Sequence, residues 1–157
     1  MAAAVPTDRP RAVIRALLAC MLIVAGLAFA LRVVPQPRTI DDAFITFRYA
    51  RNLVEGNGFV YNPGTRTLGT TTPLYTLLMA GIGAVTGSDA YPRFALIVNA
   101  AADAVTAALL ALLAWRVSGR VIVAAIAGAL WAASPMSVTF AVGGMETVVG
   151  DSCYFMM

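Results

Sequence analysis

Three long apolar runs constrain the fold of this chain more than any other feature of its sequence. They cover residues 13–34, 93–115 and 121–142, and the charges of the first run lie near its ends, at Arg15 and Arg32. A helix that crosses a bilayer needs about 20 mostly apolar residues, and each run reaches that length. The composition agrees, because 60% of the residues are hydrophobic and 12% are charged, against about 25% charged in soluble domains. We predict an all-α, multi-pass membrane protein with three transmembrane helices.

The first run has a competing interpretation as a secretory signal peptide, because basic residues precede an apolar stretch. The run is longer than a typical signal core, however, and the residues that close it, RVVPQP, do not resemble a small-residue cleavage site. We therefore interpret residues 1–12 as a disordered cytoplasmic tail and residues 13–34 as the first span.

A shorter apolar segment over residues 73–86 decides the predicted topology. About a dozen apolar residues are too few to cross roughly 30 Å of hydrocarbon, which favours an interfacial or re-entrant helix. If the basic N-terminus is cytoplasmic, three spans also place the basic turn at 116–120 in the cytoplasm, as the positive-inside rule prefers. A fourth crossing would export that turn. Residues 35–72 and 143–157 are then predicted to be extracytoplasmic.

Composition excludes several classes of function. The chain has no histidine, so it contains no His-based zinc site and no Ser-His-Asp triad. Its basic residues are all arginines, scattered along the ends of apolar segments, and we expect no nucleic-acid partner. Cys20 and Cys153 lie far apart in unlike contexts, so a disulfide framework is not supported.

A polar island at residues 39–72 is the place to look for chemistry, and it opens with the adjacent carboxylates Asp41 and Asp42. Residues 42–54 contain no proline or glycine and stop before a Glu-Gly pair, which predicts a short helix. At about 100° per residue, Asp41 and Arg48 share one helix face while Asp42 points elsewhere. We expect the two carboxylates to have separate tasks.

A structural interpretation of the same residues stays open. Thr39 or Asp41 is also a suitable cap for the helix, where acids favour the positive end of the helix dipole. Further along, turn signals at 57–58 and 62–64 flank residues 59–61, which predicts a small extended excursion.

Taken in order, the motifs of this island resemble the first external loop of the GT-C glycosyltransferases. These polytopic enzymes use polyprenyl-phosphate-linked sugars, and the most similar branch is the bacterial one with arabinofuranosyl- and mannosyltransferases of the cell envelope. The resemblance runs over roughly residues 13–147. The motifs that carry it are DDAFITFRYARNL at 41–53, GNG at 56–58, YNPG at 61–64, TPL at 72–74 and GMET at 144–147.

The resemblance implies an inverting sugar transfer at the extracytoplasmic face of the plasma membrane, from a polyprenyl-phosphate donor to a glycan or protein acceptor. Asp41 would act as the general base, and Asp42 would orient the acceptor or ligate a divalent cation. Arg48 and Arg51 would face the leaving phosphate, and Glu146 would join the substrate site. The resemblance fixes no cofactor and leaves a divalent cation open. Membrane lipid is an expected partner.

Each of these roles has a plainer alternative. The arginines are equally suited to pairing with Asp42 or Glu55, with pairing slightly favoured for Arg51, and Glu146 to ending a helix. Asp103 lies near the middle of a span, where an acid is costly and by default functional. We favour instead a hydrogen bond between Asp103 and Asn99, or contact with a later helix that is missing from this chain.

The sequence also departs from the family pattern. The residues just before Gly69 are neutral, where the branch commonly has an acid, and residues 148–157 do not resemble family sequence. Because the family continues for many more spans, we expect this chain to be the N-terminal portion of such an enzyme, truncated or frame-shifted. The alternative is a non-catalytic membrane protein or inactive fragment, either a scaffold or a transporter piece.

Overall fold

A computed structural model describes residues 8–65 and 69–145, and the regular secondary structure of this part of the chain consists of helices, with no β-strand. The prediction of an all-α protein is therefore confirmed for the described residues. The helices, in chain order, are α1 (Asp8–Val33), α2 (Asp41–Val54), α3 (Pro73–Thr86), α4 (Tyr91–Ser118), α5 (Val121–Ala132) and α6 (Pro135–Gly143).

Helices α1 and α4 are each long and apolar enough to cross a membrane, and α5 with α6 makes a third crossing if the bent pair is one span. Helix α1 begins at Asp8, ahead of the predicted start, and α4 extends beyond the predicted 93–115 at both ends. Small residues line the contact of α1, α4 and α5, where Ala28, Ala107 and Ala124 are fully buried. Small side chains let helix backbones approach closely, which is how apolar helices gain packing energy in lipid.

The third apolar run, residues 121–142, forms two helices that are separated by a short break before Pro135. Helices α5 and α6 meet at a bend of 47°. Ser134 adopts an extended conformation (φ −61°, ψ 117°) and Pro135 opens α6. A proline has no N–H to donate and restricts the residue before it to extended conformations, so the α5 ladder ends here.

Helices α2 and α3 pack together at one end of the apolar bundle, against the first turns of α4. Phe47 of α2 stacks on Tyr91 of α4 with ring centroids 6.0 Å apart, and Met79 of α3 is fully buried in the same cluster. Helix α3 has 14 residues, about 21 Å of helix, and is shorter than the roughly 30 Å hydrocarbon core. Its outer face stays apolar and open, with Leu74 80% and Val85 89% exposed.

The connection between α1 and α2 is held by the last turn of α6. The N–H of Arg38 donates to the carbonyl of Val142 at 3.1 Å, and the N–H of Ile40 donates to the carbonyl of Gly143 at 3.0 Å. The C-terminal end of α6 therefore lies beside the residue that opens α2, at the same end of the bundle as the start of α4.

Candidate functional site

Asp41 and Asp42 occupy the exposed first turn of α2. Ile40 is the N-cap residue, with an extended backbone (φ −83°, ψ 149°), and no side chain donates or accepts a capping hydrogen bond. The interpretation of Thr39 or Asp41 as a side-chain cap is therefore wrong, although both carboxylates still lie at the favourable end of the helix dipole.

Neither carboxylate at the start of α2 is held by a salt bridge in the described residues. The ion pairs found there are Arg32–Asp103 and Arg51–Asp89. Exposed carboxylate oxygens that no described side chain engages in a salt bridge can accept hydrogen bonds without first losing a partner. Asp41 and Asp42 are therefore accessible to a bound substrate.

Arg48 and Asn52, one turn apart on α2, both hold the same loop residue. Nε of Arg48 and Nδ2 of Asn52 each donate to the carbonyl of Tyr61 at 2.9 Å, and Asn52 also donates to the carbonyl of Val60 at 2.8 Å. Residues four apart lie on one helix face, which explains the shared acceptor. The loop after α2 is thereby folded back across the helix.

A cavity of about 540 Å³ lies between α2 and this loop. Its lining combines aromatic rings with two guanidinium groups and one carboxylate, and the residues that matter here are Phe44, Arg48, Arg51, Glu55 and Tyr61. Phe44, Arg48 and Arg51 of α2 and its C-cap residue Glu55 follow one helical stripe at spacings of three or four residues. Asp41 lies about one turn before Phe44, and neither Asp41 nor Asp42 is among the residues that line the cavity.

Arg51 pairs with a residue that the sequence analysis did not single out. Its Nη2 donates to Oδ2 of Asp89, in the connection between α3 and α4, at 3.0 Å. The expectation of pairing with Asp42 or Glu55 is therefore wrong. The two side chains are 51% and 77% exposed, and an exposed pair of this kind contributes at most about 1 kcal/mol. Arg51 can exchange Asp89 for an anionic ligand at small cost.

The chain that returns from the loop is anchored by Tyr49, a buried residue of α2. Tyr49 is fully buried, and its hydroxyl accepts a hydrogen bond from the N–H of Gly69 at 2.8 Å. Its ring lies 5.1 Å from that of Phe59, centroid to centroid. The predicted substrate residue Glu146 lies outside the described residues, so its position relative to α2 stays a prediction.

Asp103 belongs to a separate polar cluster inside the helical bundle. It accepts hydrogen bonds from Nε of Arg32, from the hydroxyl of Ser137 and, at 2.9 Å, from Nε1 of Trp131. The predicted hydrogen bond to Asn99 is wrong, because the Asn99 amide donates instead to the carbonyls of α6 and the residue that follows its C-cap. Both Arg32 and Asp103 are fully buried.

The described residues offer little for a metal ion. No group of three or more His, Cys, Asp or Glu side chains comes together there. Asp41 and Asp42 supply two carboxylates, and a magnesium-like cation uses such a pair only together with water and substrate phosphate. The protein side chains described here do not form a metal site by themselves.

Comparison of the chain with protein-family models, with curated proteins and with solved structures found no match. The sequence motifs of the polar island and the geometry of α2 are therefore the basis for assigning a function. Both concern the same residues, since the motif DDAFITFRYARNL forms α2.

Proposed function

We propose that this chain is the N-terminal portion of an inverting glycosyltransferase. The enzyme moves a sugar from a polyprenyl-phosphate donor to a glycan or protein acceptor at the extracytoplasmic face of the plasma membrane. The observation that carries the proposal is the exposed pair Asp41–Asp42, at the start of the helix whose next turns line a cavity with Arg48 and Arg51.

Asp41 is the general base of the proposed reaction. The acceptor hydroxyl attacks the anomeric carbon of the donor while its proton passes to the Asp41 carboxylate, and the bond from that carbon to the phosphate oxygen breaks. The polyprenyl phosphate leaves with the bonding electrons, and a single displacement inverts the anomeric configuration. Asp42, turned to another face of α2, orients the acceptor.

Arg48 and Arg51 stabilise the charge that grows on the leaving phosphate. Guanidinium groups bind phosphate through two parallel N–H bonds, and such charge-assisted bonds are about twice as strong as neutral ones. Among the described residues, the ion-pair partner of Arg51 is the exposed Asp89. Arg48 is already ordered by Tyr61 and Asn62, so its position is set before substrate binds.

The polyprenyl chain of the donor needs an apolar surface that leads to Arg48 and Arg51. The outer face of α3 supplies one, since Leu74, Leu77 and Val85 are exposed beside α2. Burial of each CH₂ group in such surroundings is worth about 0.8 kcal/mol. A lipid-linked donor therefore fits the apolar surroundings of α2 better than a soluble nucleotide sugar does.

The alternative of a transporter piece finds no support in the described spans. A passage would need polar side chains lining an open path, and the candidates from the sequence are Asn99 and Asp103. Both are 0% exposed and hydrogen-bonded to protein groups. A purely scaffolding role gives the exposed carboxylates of α2 no task beyond stabilising the helix dipole, which makes their substitution the decisive test.

The test compares sugar transfer from polyprenyl-phosphate donors in membranes that contain the 157-residue chain or the longer gene product that the proposal implies. Asp41→Asn is the test variant, and Asp89→Asn is the matched control because Asp89 is also an exposed aspartate close to the cavity. We expect the longer product and its Asp89→Asn variant to transfer sugar and Asp41→Asn to lose activity. Normal transfer by Asp41→Asn contradicts the assignment.

A further inference from the structure

We infer that Arg32, Asp103 and Ser137 are positioning residues, which hold α6 in the orientation that sets the start of α2 and, with it, the Asp41–Asp42 pair. The catalytic meaning of this inference rests on the proposed function. The structural coupling itself is independent of that function and can be measured without a sugar donor.

The coupling starts at the buried ion pair Arg32–Asp103, whose polar groups have hydrogen-bond partners in the protein. Besides Asp103, the Arg32 guanidinium donates to the carbonyls of Ala28 and Ala132, each at 2.9 Å, and to the hydroxyl of Ser137 at 3.1 Å. Removing two charges from water is costly, and apolar side chains of similar volume are often at least as stable in such a place. In a lipid-facing bundle a pair of this kind calls for a role beyond stability.

The contacts of Arg32 show which role it has. Ala132 is the last residue of α5 and Ser137 lies in the first turn of α6, so one guanidinium holds both sides of the break. The carbonyls at the end of a helix have no partner within it, and here Arg32 satisfies one of them. The relative direction of α5 and α6 is thus fixed by a side chain from α1.

The outer end of the coupling is the close contact between α6 and the start of α2. Gly143 and Val142, in the last turn of α6, accept the backbone hydrogen bonds of Ile40 and Arg38 at 3.0 and 3.1 Å. A Cβ atom at Gly143 would lie 2.5 Å from Cδ1 of Ile40, so the contact depends on a glycine. Ile40 directly precedes Asp41.

Helix α6 has only nine residues between these two ends. A segment that short behaves as a rigid rod, so a change in its direction at Ser137 moves the carbonyls of Val142 and Gly143. The later turns of α2 are held separately, by the bonds of Asn52 and Arg51. Loosening the buried cluster therefore displaces the acidic first turn of α2 relative to the arginines that follow it.

A disulfide between residues 40 and 143 measures this placement directly. A Cβ at Gly143 would lie 3.8 Å from Cβ of Ile40, the usual separation in a disulfide. We would build Ile40→Cys with Gly143→Cys in a chain carrying Cys20→Ser and Cys153→Ser, and follow the rate of cross-linking in membranes under mild oxidation. Cysteine at position 40 also removes the isoleucine methyl that crowds Gly143.

Ser137→Ala is the main test variant, because it removes the hydroxyl shared by Arg32 and Asp103 without leaving a charge unpaired. Thr139→Ala is its control on the same helix, where the exposed hydroxyl donates to the carbonyl of Pro135. We expect Ser137→Ala to slow cross-linking by about tenfold, since reactions within a molecule depend steeply on alignment. Thr139→Ala should leave the rate unchanged. Equal rates in the two variants overturn the inference.

A second variant removes both buried charges together, Arg32→Met with Asp103→Leu, so that neither is left alone in the bundle. Cross-linking at the wild-type rate in this variant also overturns the inference. Sugar transfer separates the two proposals. A Ser137→Ala form of the active longer product should lose kcat while KM for the donor stays unchanged. If cross-linking depends on Ser137 but the wild-type protein transfers no sugar, the coupling stands and the proposed function fails.

Discussion

The guanidinium of Arg48 lies over the ring of Tyr61, 4.7 Å from its centroid, while Nε of the same arginine donates to the Tyr61 carbonyl at 2.9 Å. Nη2 of Arg48 donates to Oδ1 of Asn62 at the same distance. The Arg48 side chain thus holds the loop after α2 at three points: the ring of Tyr61, the carbonyl of Tyr61 and the side chain of Asn62. The planar fork of arginine makes this possible, and a lysine ammonium cannot reproduce it.

Arg48→Lys should loosen this loop without unfolding the helices. The lost stacking and hydrogen bonding amount to about 1 kcal/mol of local stability, so amide hydrogen exchange of residues 57–65 should accelerate about fivefold. Arg51→Lys is the control, because Arg51 bonds Asp89 rather than the loop. Equal exchange in the two variants would show that Arg48 does not order the loop.

Asn52→Ala should cost more than any exposed substitution on α2. Asn52 is 6% exposed, and its amide donates to two loop carbonyls. Leaving buried acceptors without donors costs about 1–3 kcal/mol in the free energy of unfolding, which thermal denaturation in detergent measures. Asn57→Ala removes the same group from an exposed position, where it donates to Oδ1 of Asn52 at 3.3 Å and to Oε2 of Glu55 at 3.2 Å; because water can replace it there, this variant should cost less, about 0.5–1 kcal/mol. A small effect of Asn52→Ala would mean that water satisfies these carbonyls.

Gly143→Ala should disturb the start of α2 through Ile40, because the added methyl would meet the Ile40 side chain at 2.5 Å. We expect a lower melting temperature and, in an active enzyme, slower transfer. Ile40→Ala combined with Gly143→Ala removes the clash and should restore both. Gly81→Ala in α3 is the control, because nothing lies within 4 Å of the added atom and alanine favours a helix by about 1 kcal/mol. If the double variant does not recover the melting temperature, the clash with Ile40 is not the cause of the loss.

The two ion pairs of the described residues should respond differently to neutralisation. Asp89→Asn breaks an exposed pair and should change stability by at most about 1 kcal/mol. Asp103→Asn leaves Arg32 charged and buried, which typically costs about 3–5 kcal/mol. Thermal denaturation of both variants in the same detergent compares them, and similar melting temperatures would mean that Arg32 reaches water when its partner is lost.

Local signals in the sequence predicted where the helices lie. Proline and glycine mark the borders of the polar segments, and the predicted helix at 42–54 compares with α2 at Asp41–Val54. The break between α5 and α6 was also readable, since Pro135 denies its predecessor the helical conformation. The angle of the bend was not readable, because a uniformly apolar sequence gives no periodicity from which to derive it.

Pairings between distant residues were not readable from the sequence. Arg32 and Asp103 are 71 positions apart, and Arg32 looked like the charged end of an apolar run. Only the packing of α1 against α4 brings the two together. Likewise, Asp89 in a short connection gave no sign of bonding Arg51. Periodicity predicts which face a residue occupies and not which element covers that face.

The most direct test of Asp41 as general base supplies a nucleophile that needs no base. Azide attacks without losing a proton, so it bypasses the step assigned to Asp41 while still needing the arginines and the donor site. We predict that the Asp41→Asn form of the longer gene product transfers no sugar to its hydroxyl acceptor. With azide, it should form a glycosyl azide of inverted configuration. Transfer to the hydroxyl acceptor at the wild-type rate, or no product with azide where the wild-type protein is active, would contradict the role of Asp41 as the base.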